Sequence, residues 1–288
     1  MTPLAAGHFL AISTSIEAEA QLLATRMSLI FALLVWFAGH LECRADEPLE
    51  DLLSAIFRIA DREHSGTCFF ISGEAVNSTN PRRVVLVTAA HVLDQMSTTE
   101  CELILRTEDA DHRFSRKVVS IQIRDGDKPR WTQIPEIDVA TLLVDLPEDV
   151  AVKPLCFDQI ADESCVEEKV VHVGQETWIG CFPAKLEANE AGWPVLRKGS
   201  IASYPLAPLK TNKTMLVDYN VFGGDSGAPV AVIIDGRPLI VGVASSMQRQ
   251  TDRSTLPFEE RTMHTPLGLS IAVQANYLRE TVELMMEK

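Results

Sequence analysis

"VFGGDSGAPV", residues 221–230, sets one aspartate and one serine among three glycines, with branched apolar residues on either side. Bare backbone at Gly224 and Gly227 permits a sharp turn and the close approach of a second molecule. A serine hydroxyl is a poor nucleophile until a base removes its proton, and an attacked carbonyl needs donors for the oxyanion that develops. Ser226 is therefore the candidate nucleophile, and the N–H groups of Gly224 and Ser226 are the candidate oxyanion donors. Gly, Asp and Ser are also ordinary turn residues. The chemical reading of the loop depends on whether the chain supplies a base and an acid elsewhere.

Both are present. His91 stands in "VVLVTAAHVL" (84–93), at the end of an apolar strand, and the small Ala89 and Ala90 before it leave room for an imidazole to face a cleft. Asp138 stands in "EIDVATLLV" (136–144), where a strand begins immediately after it. A carboxylate buried at a strand edge can orient an imidazole and fix its tautomer. The other histidines at 64, 112, 172 and 264 fall in polar loops or within strands, and Asp94 and Asp145 follow apolar runs without a comparable setting.

Around these residues the chain is written mostly in strands. "RRVVLVTAAHVL" (82–93), "CELILRT" (101–107), "KVVSIQIR" (117–124), "DVATLLVDL" (138–146), "KVVHVG" (169–174) and "AVIIDGRPLIVGVASS" (231–246) are short, rich in Val and Ile, and separated by Gly, Pro, Asp or Asn. Asp235 and Gly236 suit a tight hairpin turn. The C-terminal "AVQANYLRETVELMMEK" repeats apolar residues Val273, Tyr277, Leu278, Val282 and Leu284 at helical spacing. "LEDLLSAIFRIADRE" (49–63) begins with helical spacing, yet its "AIFRIA" also suits a strand. An acidic and polar run at 147–169 interrupts the strands and marks a boundary. The expected class is all-β, with two packed barrels or a sandwich.

The formal charge of −14 argues against nucleic acid or an anionic membrane surface as the main partner. From Leu29, "LIFALLVWFAG" runs for 11 residues, short of the roughly 20 that span a bilayer as a helix. Cys43 and Ala45 have the sizes a secretory cleavage site needs, so residues 1–45 are expected to be a removed signal region, with translation from Met1 or Met27. The expected locations are secreted or periplasmic, with no stable membrane anchor. Removal would leave five cysteines at positions 68, 101, 156, 165 and 181. An odd number leaves at least one free or paired between chains. Cys156 and Cys165 could close a short loop in an oxidising compartment. No CxxC pair and no histidine at ligand spacing supports a zinc site. Two N-glycosylation sequons, at 77–79 and 212–214, count only in a host that glycosylates.

The trio "TAAH", "DVATL" and "GDSGAPV", in the order His, Asp, Ser, resembles the chymotrypsin-like (trypsin-fold) serine proteases. "SGTCFFIS" (65–72) is similar to the strand that family places before its histidine, "LIVGVASS" (239–246) to the strand after its serine, and "TPLGLSIAVQANYLRETVELM" to its last strand and closing helix. The likeness covers residues from about 52 to the C-terminus. It implies two antiparallel β-barrels, at 46–155 and 156–288, with the active site in the cleft between them and a C-terminal helix. It also implies catalysis by His91, Asp138 and Ser226, oxyanion binding by Gly224 and Ser226, and hydrolysis of peptide bonds in protein or peptide substrates without a metal or organic cofactor. Ser245 would support Asp138, and Asn220, Ser245, Ser246, Met247 and Gly268 would shape the primary pocket. Asn220 supplies no charge and Met247 adds bulk, so small or uncharged side chains are the expected preference.

The chain departs from the digestive members of that family. Val92 replaces the cysteine after the histidine, and no "IVGG" start is present; "RIAD" (58–61) lies too near "SGTCFF" to free a terminus that reaches Asp225. In character it is closer to bacterial secreted or periplasmic trypsin-like peptidases, including the HtrA group, although the 62 residues after Ser226 leave no room for a PDZ-type module. Two other readings stand beside the endopeptidase: a catalytically silent binding module on the same fold, and a structural envelope protein in which "GDSG" is only a turn. The sequence assigns no oligomeric state.

Overall fold

The computed structural model describes residues 47–72, 82–256 and 259–287. The apolar segment at 29–39, the expected cleavage after Ala45 and the sequon at 77–79 lie outside the described residues. Two antiparallel sheets carry the fold. The first joins β1 (Ile56–Ala60), β2 (Ser65–Ile71), β3 (Arg83–Thr88), β4 (Glu100–Glu108), β5 (Phe114–Gln122), β8 (Thr132–Gln133) and β9 (Ala140–Asp145) in the order β5-β4-β1-β2-β3-β9-β8. A two-stranded ribbon, β6 (Arg124–Asp125) and β7 (Lys128–Pro129), follows β5. Beyond β5 the Ile123 N–H donates to Thr99 O and the Arg130 N–H to Ile123 O, which brings that end of the sheet round toward β8.

The second sheet joins β10 (Glu176–Cys181), β11 (Val195–Ser200), β12 (Thr214–Asp218), β13 (Pro229–Ile234), β14 (Arg237–Leu256) and β15 (Glu259–Gln274) in the order β11-β10-β13-β14-β15-β12. It closes on itself, because Ile201 bridges to Val217 and the Ala202 N–H donates to Leu216 O at 2.8 Å. Each sheet wraps its own side chains, and the fold is all-β with two antiparallel barrels and a C-terminal helix.

The continuous apolar runs of β1, β2 and β3 are explained by burial on both faces. Side chains alternate across a strand. Phe57, Ile59, Cys68, Phe70, Val84 and Leu86 fill the first barrel, while their neighbours Ile56, Phe69, Ile71, Val85 and Val87 belong to a core shared with the second barrel. The ambiguous N-terminal stretch is both things in turn: helix α1 (Pro48–Ser54), then β1. At the DGRP turn Asp235 (φ 49°) and Gly236 (φ 74°) both take left-handed backbone, as a two-residue hairpin requires.

Three expectations need correction. "KVVHVG" is not a strand: Val171 is drawn in by its N–H bond to Cys165 O, while Lys169 and Gly174 take positive φ and break the extended run. His91 does not end a strand but lies in the first turn of a short helix, α2 (Ala90–Gln95), that follows β3. Cys156 and Cys165 are not bridged, and all five described cysteines are free thiols. Asp162 caps a one-turn helix, α3 (Glu163–Glu167), through the Cys165 N–H, which fixes that backbone independently of any bridge. The closing helix, α4 (Ala275–Met286), buries Ala275, Leu278 and Val282, and Val273 stays in β15. The Arg279 guanidinium ties α4 to the connection between the sheets by donating to Phe157 O and Ile160 O.

Candidate active site

Residues far apart in the chain meet where the two sheets face each other. Asp138, just before β9, accepts the His91 backbone N–H on Oδ1 at 2.9 Å and lies 2.7 Å from His91 Nδ1 through Oδ2. A carboxylate can only accept, so the proton of this bond sits on Nδ1 and leaves Nε2 free as a base. Ser245, on β14, donates its hydroxyl to the same Oδ2. Burial pushes the Asp138 carboxyl up, but the His91 ring, the Ser245 hydroxyl and the His91 N–H together hold it below the ordinary carboxylate value. The expected burial is only partial: the side chains of Asp138 and His91 are 28% and 35% exposed.

Ser226 comes from the loop between β12 and β13. Its hydroxyl donates to Ser245 O at 3.1 Å, and among the described residues it makes no hydrogen bond to His91. Hydrogen bonds thus join His91 to Asp138, Asp138 to Ser245 and Ser245 to Ser226, while none links Ser226 to His91 among the described residues.

The glycines of the loop are required by space. At Gly227 (φ +88°) a Cβ would lie 2.1 Å from Thr67 O and 2.3 Å from Thr88 Oγ1, and at Gly224 (φ +101°) it would lie 2.3 Å from Phe182 O. Thr67 of β2 grips the loop from the first barrel, its hydroxyl donating to Gly224 O at 2.7 Å and its N–H to Ser226 O at 2.9 Å. With these carbonyls held, the N–H groups of Gly224 and Ser226 have no acceptor among the described residues.

Asp225 is fully buried and has a partner the sequence did not disclose. Arg197, on β11, donates to its Oδ2 at 2.9 Å, and the Phe222 N–H donates to the same oxygen. Burial pushes the Asp225 carboxyl up, opposed by the Phe222 N–H, Cys181 and Arg197. The second guanidinium nitrogen of Arg197 reaches Asn220 O. Asn220 in turn lies beside Gly268, where an added Cβ would come 3.1 Å from its Oδ1. Met247 pairs across β15 with Ser270, and exposed Ser246 pairs with Ile271. Thr67 and Arg197 carry no local signal, since a threonine or an arginine in an alternating strand reads as an ordinary strand residue. Among the described residues no group of three or more His, Cys, Asp or Glu is placed to hold a metal, and no helix is long and apolar enough to cross a membrane.

No protein-family profile matches the sequence, and no curated protein does. Among solved structures the chain is similar to the protease Rv3671c of M. tuberculosis H37Rv. Its inactive Ser343Ala form is 15% identical, with a TM-score of 0.47 over 86% of this chain and 94% of that one. Another inactive form is 16% identical, with a TM-score of 0.46 over 85% and 95%. So loose a likeness adds nothing to the strand pairing described above, and the site rests on its own geometry.

Proposed function

We propose that the protein is a serine endopeptidase that cleaves peptide bonds through an acyl-enzyme, with Ser226 as nucleophile, His91 as general base and then acid, and Asp138 as the group that orients the imidazole. The observation that carries this reading is the Asp138 carboxylate, shared between His91 Nδ1 and the Ser245 hydroxyl, with the Ser245 carbonyl holding Ser226. Ser226 Oγ would attack the substrate carbonyl as its proton passes to His91 Nε2, and the same proton would then reach the leaving amine. The unoccupied donors at Gly224 and Ser226 suit the oxyanion. The Arg197–Asp225 pair supports a loop held in working shape without a freed amino terminus. The neutral Asn220 beside Gly268, with Met247 nearby, favours small or uncharged side chains in the primary pocket. A secreted or periplasmic enzyme of the bacterial trypsin-like kind, acting on proteins or peptides, is part of the proposal.

One observation favours a catalytically silent binding module instead: the Ser226 hydroxyl is committed to Ser245 O. Substrate-free sites often leave such bonds to be made on binding. Incubation with a fluorophosphonate separates the readings, because Ser226 Oγ displaces fluoride from phosphorus only when a base takes its proton. The expected result is a stoichiometric adduct on Ser226, absent from Ser226→Ala, together with cleavage of a mixed peptide library by the native protein alone. An unlabelled native protein, or equal cleavage by both, overturns the endopeptidase.

A further inference from the structure

The segment between β10 and β11, residues 182–194, takes no part in the chemistry above, yet it leans on both barrels. At its outer end Glu187 is held by two arginines of the first barrel. Arg58 Nε, on β1, stands 2.9 Å from Oε1 as an ion pair without hydrogen-bond geometry, and Arg116, on β5, donates to Oε2 while its Nε reaches Glu190 O of the same segment at 3.3 Å. The Glu187 side chain is only 11% exposed. Trp193 stacks on the Arg106 guanidinium at 4.0 Å and meets Phe114 edge-on, and the Ala188 N–H closes the segment on Trp193 O.

At its inner end the segment touches the glycine loop. The Ala184 N–H donates to Gly223 O at 2.7 Å, and Phe182 O sits where a Cβ on Gly224 would have to go. Ala184 (φ 50°) and Lys185 (φ 66°) occupy left-handed backbone that favours glycine, so this turn is held by its surroundings and not by its own preference. The carbonyl and N–H of one trans peptide point in opposite directions. Fixing Gly223 O toward Ala184 therefore aims the Gly224 N–H the other way, where it has no acceptor among the described residues.

We propose that Glu187 is a positioning residue: gripped by Arg58 and Arg116, it latches segment 182–194 to the first barrel, so that Ala184 holds the Gly223–Gly224 peptide in the orientation that presents the Gly224 N–H to an oxyanion. The inference rests on the hydrolase reading, since it assigns the Gly224 N–H a role in catalysis. The latch couples the two barrels to one donor. When the grip is lost, the strained turn relaxes, the peptide is free to rotate, and the donor is withdrawn while Ser226, His91 and Asp138 stay in place.

Glu187→Ala and Glu187→Gln test this with three measurements: the rate of fluorophosphonate labelling at Ser226, hydrogen exchange at the Ala184 amide, and the melting temperature. Loss of one oxyanion donor slows well-studied enzymes by about 10²–10³-fold. Glu187→Ala is expected to slow labelling by about 10- to 100-fold, with Glu187→Gln, which keeps an acceptor for Arg116, slowed less. Ala184 exchange should rise in the same order in folded protein. Should Glu187→Ala fail to fold, Glu187→Gln carries the test alone. Labelling at the native rate, or slowed labelling with unchanged Ala184 exchange, overturns the latch. An unlabelled native protein overturns the hydrolase reading instead, and the catalytic role of the latch with it; Ala184 exchange then decides only whether Glu187 holds the turn.

Discussion

Ser245 joins the two halves of the site through different atoms, its hydroxyl on Asp138 and its carbonyl on Ser226. Asp138 receives three donors, so its ionised form is favoured in the folded protein and its carboxyl is held below the ordinary value. The unfolded carboxyl, near 3.9, binds a proton before the folded one does. The three-donor contribution to stability is therefore complete above about pH 4 and is lost as pH falls through the lowered value. Urea melts of the native protein and Asp138→Asn, from pH 7 down to pH 3, should converge toward the acid end; a gap that stays constant would mean that Asp138 is not the titrating partner. At neutral pH the same variant should label at Ser226 slower by about 10⁴-fold, the loss seen when an amide puts the imidazole in the wrong tautomer. His91, Asp138 and Ser226 stand out in the sequence as candidates because each is a chemically specialised residue in an otherwise apolar or glycine-rich setting. Arg197, Thr67 and Glu187 do not, because their meaning lies in partners that only folding brings near: Asp225 for Arg197, Gly224 and Ser226 for Thr67, Arg58 and Arg116 for Glu187.

At the scale of elements, β14 and β15 run on past the barrel as a ribbon. From Arg249↔Pro266 outward to Ser254↔Arg261 each strand pairs only with the other, and the described side chains of this stretch are exposed. "RQTDRST" has no apolar alternation, so periodicity could not reveal a strand there, whereas "LIVGVASS" displayed one because it faces the core. "KVVHVG" erred the other way, its valines mimicking a strand although only Val171 is buried. A ribbon without a buried face contributes little beyond its own marginal pairing. Joining Gln250 to Thr265 through an Asn-Gly turn removes its outer part and suits the two-residue hairpin. Surface changes of this kind stay near 0.5 kcal/mol, so the melting temperature should move by less than about 4 °C. A fall beyond about 10 °C in a thermal melt would mean that the ribbon packs against the barrel.

At the scale of the molecule, the two barrels share a core that the run of apolar residues in "RRVVLVT" announced only as continuity, without saying that its alternate side chains belong to different cores. The polar counterpart of that shared core is Arg106, 1% exposed on β4. Both of its terminal nitrogens donate to Ile56 O at 3.1 Å, and Nη1 also reaches Gly192 O in the second barrel. Its plane lies between the rings of Phe57 and Trp193, at 4.1 and 4.0 Å. Burial pushes its pKa down to about 9, which still leaves the cation charged at neutral pH. Among the described residues no carboxylate is bonded to it, so the stabilisation comes from carbonyl dipoles and ring faces, both of which require a planar, multi-donor cation. A lysine keeps the charge but is a point donor that can neither stack between two rings nor span the carbonyls of Ile56 and Gly192. Each buried carbonyl left without its donor costs about 1–3 kcal/mol. Arg106→Lys should therefore lower the unfolding free energy by about 2 kcal/mol or more in urea melts. It should also slow labelling of Ser226, because Gly192 and Trp193 belong to the segment that Glu187 holds. If lysine replaced Arg106 at a cost under about 0.5 kcal/mol, the Arg106 clamp would have no part in setting the relation of the barrels, which would rest on their shared apolar core and on the contacts of Thr67, Ser245 and Glu187.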